Sequence, residues 1–277
     1  RQGPLAEYPA NGATTEPMSG FSSMHGYEGD IGMNTGGLIP DPVSGYYLAA
    51  SILTAIHHRK KTNRGQRIDS SMMESVAIQF GDAILEYSAN GDIRKPKGNK
   101  HADIAPHGLF KTRDDEWIAI ATETDQAFRK LCKILNLEEL SSDDRFNSSA
   151  SRKANESELN QLLQSGFSSE FHSSALNKLQ AAGVHAAINS DFLEIYRNPN
   201  PQFTSRRFMQ EIDHAEAGSH LLPTMPWQLS STRKTRHKPA PCFGEHNEEV
   251  FSKELGINPN QYRELVELQI TGREKQN

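Results

Sequence analysis

Apolar and polar positions change their pattern sharply at Asp41. Residues 1–40 show no sustained period and are rich in Gly, Pro, Ser and Thr, so they read as a long surface loop. Five glycines fall between positions 26 and 37, namely Gly26, Gly29, Gly32, Gly36 and Gly37, and such a stretch lets backbone approach a ligand closely. From position 42 to 58 the pattern becomes an almost continuous apolar run through Val43, Tyr46, Tyr47, Leu48, Ile52, Leu53 and Ile56. A helix apolar nearly all round is buried. Asp41-Pro42 predicts its start, with Asp at the N-cap and Pro at the first helical position. The run leaves through His57-His58-Arg59-Lys60-Lys61, where cations suit a helix C-terminus. A turn at 62–65, a short strand at 66–70 centred on Ile68 and a second helix at 72–88 follow. Helix, turn, strand and helix predict an α/β layer.

Residues 90–103 are polar and basic, with Pro96 and Gly98, and read as a linker. Strands at 108–112 and 116–121 flank Asp114-Asp115 and predict a β-hairpin. Phe128, Leu131, Cys132 and Leu135 mark one face of a helix. Further helices are predicted at 155–164 and 170–181, the latter capped by Gly183. A strand at 184–188 and a short helix ending near Arg197 come next. The chain breaks at 198–201. Strands at 202–212 and 218–222, an extended return over 223–241, and closing helices at 245–255 and 260–268 complete the pattern.

Composition narrows the possible chemistry. A length of 277 residues allows one large domain or two modest ones. The formal charge of −5 argues against nucleic-acid binding driven by net charge. No apolar stretch is long enough for a transmembrane helix. The two cysteines, Cys132 and Cys242, exclude a disulfide framework and fit a reduced, cytoplasmic setting. The eleven histidines lack ligand spacing, so no metal site is expected. There is no phosphate-binding glycine loop of the G-x-x-x-x-G-K type, no G-x-S-x-G and no H-E-x-x-H.

Asp41 is the residue with chemical interest. The dipole at a helix N-terminus favours negative charge. The preceding glycines could bring backbone N–H groups to a reacting carbonyl. Those are conditions for a carboxylate nucleophile. They also describe an ordinary N-cap, the reading that local features alone favour.

Longer motifs shift that balance. Asp41-Pro42-Val43-Ser44-Gly45, the apolar helix, and then Arg59 through Gly65-Gln66-Arg67-Ile68-Asp69-Ser70-Ser71-Met72-Met73-Glu74 resemble the family III CoA-transferases, the CaiB/BaiF group. There a catalytic Asp opens the helix and an R-x-x-T-G-x-G-Q-x-I-D-x-S-x-x-E stretch follows, with Asn63 here where glycine is usual. Pro17-Met18-Ser19-Gly20, Pro106-His107-Gly108-Leu109-Phe110 with Asp114-Asp115-Glu116-Trp117, Asp144-Arg145-Phe146, Arg152-Lys153-Ala154-Asn155, Ala182-Gly183-Val184 and Ala240-Pro241-Cys242-Phe243-Gly244-Glu245-His246 resemble the family's other motifs, in the same order.

The resemblance implies a fold and a reaction. Fold class is expected to be α/β, with a partial Rossmann-like large domain carrying Asp41, a smaller α+β domain, and two interlocked subunits in a homodimer. Residues 1–95 would belong to the large domain, 96–205 would form the linker and small domain, and 206–277 would return to the large one. The family's first Rossmann strands and most of its CoA contacts lie before the segment matching Arg1. The chain is therefore expected to be the C-terminal part of a longer enzyme. Asp41 would be the nucleophile, passing CoA from an acyl-CoA to a carboxylic acid through an aspartyl-CoA thioester. The CoA thioester is a substrate, and no permanently bound cofactor is expected. Gly36 and Gly37 are candidate oxyanion donors. His107 and Gly108 occupy the region of a glycine loop over the active site. In the racemase branch a histidine acts with the Asp, and alignment on Ser19-Gly20 puts Asn11 at its place; asparagine is no general base. The alternatives are an isomerase, racemase or lyase acting on CoA thioesters, or an inactive fragment that binds no CoA.

Overall fold

The computed structural model describes residues 3–197, 200–232 and 237–272. They form two compact units, 1–189 and 190–277. No helix is long and apolar enough to cross a membrane among the described residues.

The first unit opens on α1 (Gly12–Met18), started by a reciprocal cap. The Asn11 side chain accepts from the Thr14 amide at 3.1 Å, and the Thr14 hydroxyl accepts from the Asn11 amide at 3.2 Å. A loop then leads to α2 (Pro40–Thr62), α3 (Met72–Ala77) and α4 (Gly81–Asn90). α1 and α3 pack on α2. Phe21 stacks on Phe80 with ring centres 4.5 Å apart, beside the buried Val76.

Several expectations are corrected here. α2 starts with Pro40 at its first position, so Asp41 stands inside the first turn and not at the cap. Pro40 loses nothing there, because that N–H has no helical partner anyway. The apolar run is not buried: Tyr46 is 68% exposed and Leu53 67%. A helix apolar all round needs cover on every side, and α1 and α3, packing on it, leave it largely exposed. Residues 66–70 form no strand, and no strand occurs among the described residues up to 106. A strand needs a neighbouring edge to pair with, and none is at hand. The expected Rossmann-like layer is thus not formed within this stretch. The single helix over 72–88 is broken at Phe80, where φ is −113° and ψ 36°. Asn63 takes the left-handed conformation, φ 55°, and its amide caps the Arg59 carbonyl. That accounts for an asparagine where glycine is usual.

The close-packed core lies further on. β1 (His107–Lys111), β2 (Trp117–Ala121) and β3 (His185–Ile188) form an antiparallel sheet in the order β1-β2-β3. Alternation turns Phe110, Ile118 and Ile120 to one face. There they meet Phe128 and Leu131 of α5 (Asp125–Ile134), Leu159, Leu163 and Phe167 of α7 (Glu156–Phe167), and Leu179 of α8 (His172–Ala181). Gly183, at φ 74°, ends α8 as expected. α6 (Ser149–Ala154) was not legible, because six residues show no period; its Ser148 and Ser151 cap each other.

Arg152 is fully buried in this core. Its guanidinium donates to the Ala105 carbonyl at 2.9 Å, the Phe146 carbonyl at 3.2 Å and Asp125 Oδ1 at 2.8 Å. It also lies 4.6 Å from the Phe128 ring centre. Asn155 donates to the Ser151 carbonyl at 2.9 Å. The motif from Arg152 to Asn155 is therefore an internal pin between segments.

Asp114 ties the hairpin turn to α8. It accepts from the Thr112 hydroxyl at 2.8 Å and the His172 amide at 3.0 Å, and the His172 ring lies 2.5 Å away. Burial pushes its carboxyl up, but the His172 ring, the Thr112 hydroxyl and the backbone amides outweigh it and hold it well below the usual carboxylate range. A carboxyl lowered on folding adds stability above its unfolded pKa of about 3.9, and loses it as pH falls through the folded value. Urea midpoints are therefore expected to drop below about pH 4, and Asp114→Asn to flatten that drop. An equally steep drop in the variant would remove Asp114 as its source.

The second unit begins with α9 (Phe192–Arg197) and α10 (Pro201–Ser205). Residues 198 and 199 of the expected chain break lie outside the described residues, as do 233–236 of the extended return. The strand expected over 202–212 starts only at position 209, because Asn200-Pro201 starts α10 instead, the Asn200 side chain accepting from the Gln202 amide at 2.9 Å. β4 (Met209–His214) and β5 (Gly218–Pro223) make a hairpin. The helix expected at 245–255 is a single turn, α11 (Asn247–Glu249), run into a π-helical turn at 250–254. α12 (Pro259–Glu267) closes the unit, capped by Asn258 and Gln261.

Candidate active site

Asp41 is exposed at the start of α2, and its amide donates to the Leu38 carbonyl at 3.0 Å. The first residue of α1, Gly12, packs directly against it. A Cβ on Gly12 would lie 2.0 Å from Asp41 Oδ2 and 2.9 Å from Leu38 Cβ. Position 12 thus accepts no side chain without moving the carboxylate. The Asn11 side chain is engaged in capping α1.

The glycine loop before Asp41 is anchored to α1. Glu16 is 1% exposed. It accepts from the Thr35 amide at 2.6 Å and the Thr35 hydroxyl at 3.1 Å. Asn34 donates to the Ala13 carbonyl at 3.0 Å and accepts from the Ser22 hydroxyl at 2.6 Å. Gly36 has φ 75°, open to glycine without strain, and the next turn is made by Leu38 at φ 48°. The Gly37 amide points back at the Thr35 hydroxyl, 3.4 Å away. Further up the loop, the Gly26 carbonyl accepts from the Gly98 amide at 2.9 Å, and Lys100 pairs with Glu28. The 90–103 linker is likewise held, with Arg94 on Asp82 and Glu86, each at 2.7 Å.

His107 and Gly108 open β1. The His107 Nδ1 lies 2.7 Å from the Asn99 carbonyl, which fixes that nitrogen as the donor and leaves Nε2 an acceptor in the neutral ring. Both residues line a cleft of about 690 Å³ with Leu109, Ala119, Ala121 and Val184. They also line one of about 590 Å³ with Tyr27, Lys97 and Trp117. Asp41 lines neither cleft. The structure brings Gly12, Leu38 and Asp41 together, and leaves His107 and Gly108 at the sheet.

The cysteines offer no second nucleophile. Burial pushes the Cys132 thiol up to about 12, and burial with Glu216 and Glu245 raises Cys242. Among the described residues, no three His, Cys, Asp or Glu side chains are placed to hold a metal ion.

Comparison with known proteins gives the family. The sequence profile of CoA-transferase family III matches residues 1–247, and the chain belongs to that family. It is 28% identical to the succinyl-CoA–L-malate CoA-transferase beta subunit of Chloroflexus aurantiacus, over 95% of this chain and 65% of that one. It is 28% identical to the acetyl-CoA:oxalate CoA-transferase of Acetobacter aceti, over 88% of this chain and 61% of that protein. The crystal structure of a CaiB/BaiF family protein from Brucella suis superimposes with a TM-score of 0.82 at 25% identity, covering 91% of this chain and 65% of the other. The chain therefore spans just under two thirds of these relatives, and its fold is the mixed α/β fold of that group.

Proposed function

We propose that this chain carries the acyl-accepting carboxylate of a CoA-transferase, and that Asp41 is that group. The observation that carries the reading is the setting of Asp41: an exposed carboxylate in the first turn of α2, with Gly12 bare against it and the Gly36-Gly37 backbone leading into it. The Asp41 carboxylate attacks the acyl-CoA carbonyl, forming a mixed anhydride and releasing CoA thiolate. The thiolate attacks the aspartyl carbonyl, giving an aspartyl-CoA thioester and the free donor acid. An acceptor carboxylate then displaces the thiolate to form a second anhydride. The thiolate attacks the acceptor's acyl carbon, so that a new acyl-CoA leaves and Asp41 is restored. Each attack develops an oxyanion, which the backbone donor of Gly36 would stabilise, the Gly37 amide being turned to the Thr35 hydroxyl. Short carboxylic acids are the proposed acceptors, since the relatives' names specify malate and oxalate. His107 and Gly108 belong to the substrate-facing part of the small domain on this reading.

Incubation with succinyl-CoA or acetyl-CoA, a hydroxylamine quench and peptide mass spectrometry test it. Hydroxylamine displaces CoA from the aspartyl thioester, so a hydroxamate is expected at Asp41. Turnover with no hydroxamate there would sink the reading.

The same reading pairs two copies in a homodimer. Tyr46 and Leu53 of α2 and Leu85 of α4 expose apolar surface of the kind that association covers. Sedimentation is expected to give a mass above that of one 30.9 kDa chain. A single species of that mass at micromolar concentration would contradict the pairing.

A further inference from the structure

We propose that Glu16 is a positioning residue for the reaction of Asp41: its buried carboxylate fixes the backbone that runs through Gly36 and Gly37 into the nucleophile. The inference rests on Asp41 being the acyl acceptor. It goes beyond that reading by assigning a role to a residue that touches neither substrate nor nucleophile.

A carboxylate is costly to bury unless its oxygens find donors. Glu16, 1% exposed, has both oxygens engaged by one residue, Thr35, through the backbone N–H at 2.6 Å and the hydroxyl at 3.1 Å. Hydrogen bonds to an ionised acceptor are the short, strong ones, and two from a single residue fix its orientation as well as its distance. Asn34 adds a second anchor through Ala13 and Ser22. Positions 34 and 35 are therefore locked to α1. The next residues carry the turn, with Gly36 at φ 75° and Leu38 at φ 48°, and deliver the chain to Asp41.

The other end of the same helix face completes the argument. Gly12 and Glu16 are four residues apart and lie on one side of α1. Gly12 touches Asp41 and Glu16 holds the loop, so one short helix sets the nucleophile and the Gly36 backbone in a common frame. Catalysis by an oxyanion donor depends on its being placed before the charge develops. A loop freed from Glu16 still lets substrate bind but spends part of its time misplaced. The signature is a slower chemical step with little change in half-saturation.

The test reads hydroxamate formation at Asp41 in a single turnover, with succinyl-CoA as donor, in the full chain. Glu16→Ala is expected to slow labelling by about 10- to 100-fold, with half-saturation shifted by less than about threefold. Glu16→Gln keeps an oxygen for the Thr35 amide and gains an N–H for its hydroxyl, so it is expected to restore the rate to within about threefold. Amide exchange at Thr35, Gly36 and Gly37 is expected to quicken in Glu16→Ala while α7 is unchanged. Labelling of Glu16→Ala at the wild-type rate would overturn the proposal, and so would a Glu16→Gln as slow as the alanine variant. If Glu16→Ala does not fold, Thr35→Val, which keeps the amide contact to Glu16 and removes the hydroxyl's contacts to Glu16 and to the Gly37 amide, is expected to slow labelling by about threefold or more; an unchanged rate overturns the proposal there too. Turnover without label at Asp41 in the wild type is a different failure. It strikes the nucleophile assignment and takes the positioning role with it, leaving the exchange result as a measure of the loop alone.

Discussion

Asp41→Ala is expected to abolish CoA transfer, by about 10⁴-fold or more, while the protein folds normally. The size follows from the kind of step lost. A nucleophile that forms a covalent intermediate cannot be replaced by water at the same position, because water hydrolyses the thioester and does not return CoA. Folding should be spared, because Asp41 is exposed and contributes no cap through its side chain. α2 keeps Pro40 at its first position and Asn63 at its end. Asp41→Asn is the sharper control, since it retains shape and polarity and removes the charge. Transfer assayed with succinyl-CoA, together with a melting curve for each variant, decides the matter. An alanine variant retaining a tenth of the activity would eliminate Asp41 as nucleophile.

Arg152→Ala is expected to have the largest effect on stability, about 3–5 kcal/mol. The guanidinium is fully buried and satisfies the carbonyls of Ala105 and Phe146 together with Asp125. Its removal leaves two carbonyls without a donor and opens a hole beside Phe128. Asp125 is 44% exposed at its side chain and can turn to water, so the unpaired carboxylate is the lesser loss. Arg152→Lys should recover little, because one ammonium cannot reach three acceptors held in a planar fork. Urea denaturation followed by tryptophan fluorescence measures this, Trp117 lying on β2. A loss below about 1 kcal/mol would show that the pin is dispensable.

What was legible in the sequence was what depends on neighbours along the chain. Alternation on both sides of Asp114-Asp115 gave β1 and β2. The face through Phe128, Leu131 and Cys132 gave α5, and Gly183 gave the end of α8. The ordered motifs gave the family. What failed depended on partners distant in sequence. The 66–70 segment has strand-like residues and no edge to pair with. α2 has an apolar surface that α1 and α3, packing on it, leave largely exposed. The start of α2 shifted because two prolines compete for its first position. Gly12 and Glu16 carried no signal at all. A glycine in a glycine-rich segment looks like any other, and a glutamate whose partner lies nineteen residues away is indistinguishable from a surface one.

The uneven distribution of packing has a consequence for how this sequence can vary. The main core draws its buried apolar side chains from residues 110–184, whereas the stretch from position 3 to 104 that holds Asp41 buries only Phe21 and Val76 among its large apolar side chains. Cooperative melting is governed by the first group, and on the proposed assignment of Asp41 the chemistry lies with the second. Substitutions around the nucleophile therefore register in turnover before they register in thermal stability, and substitutions in the sheet and its helices do the reverse. Selection can tune the two properties through nearly separate sets of positions, which leaves the residues near Asp41 free to diversify toward different acids without eroding the scaffold.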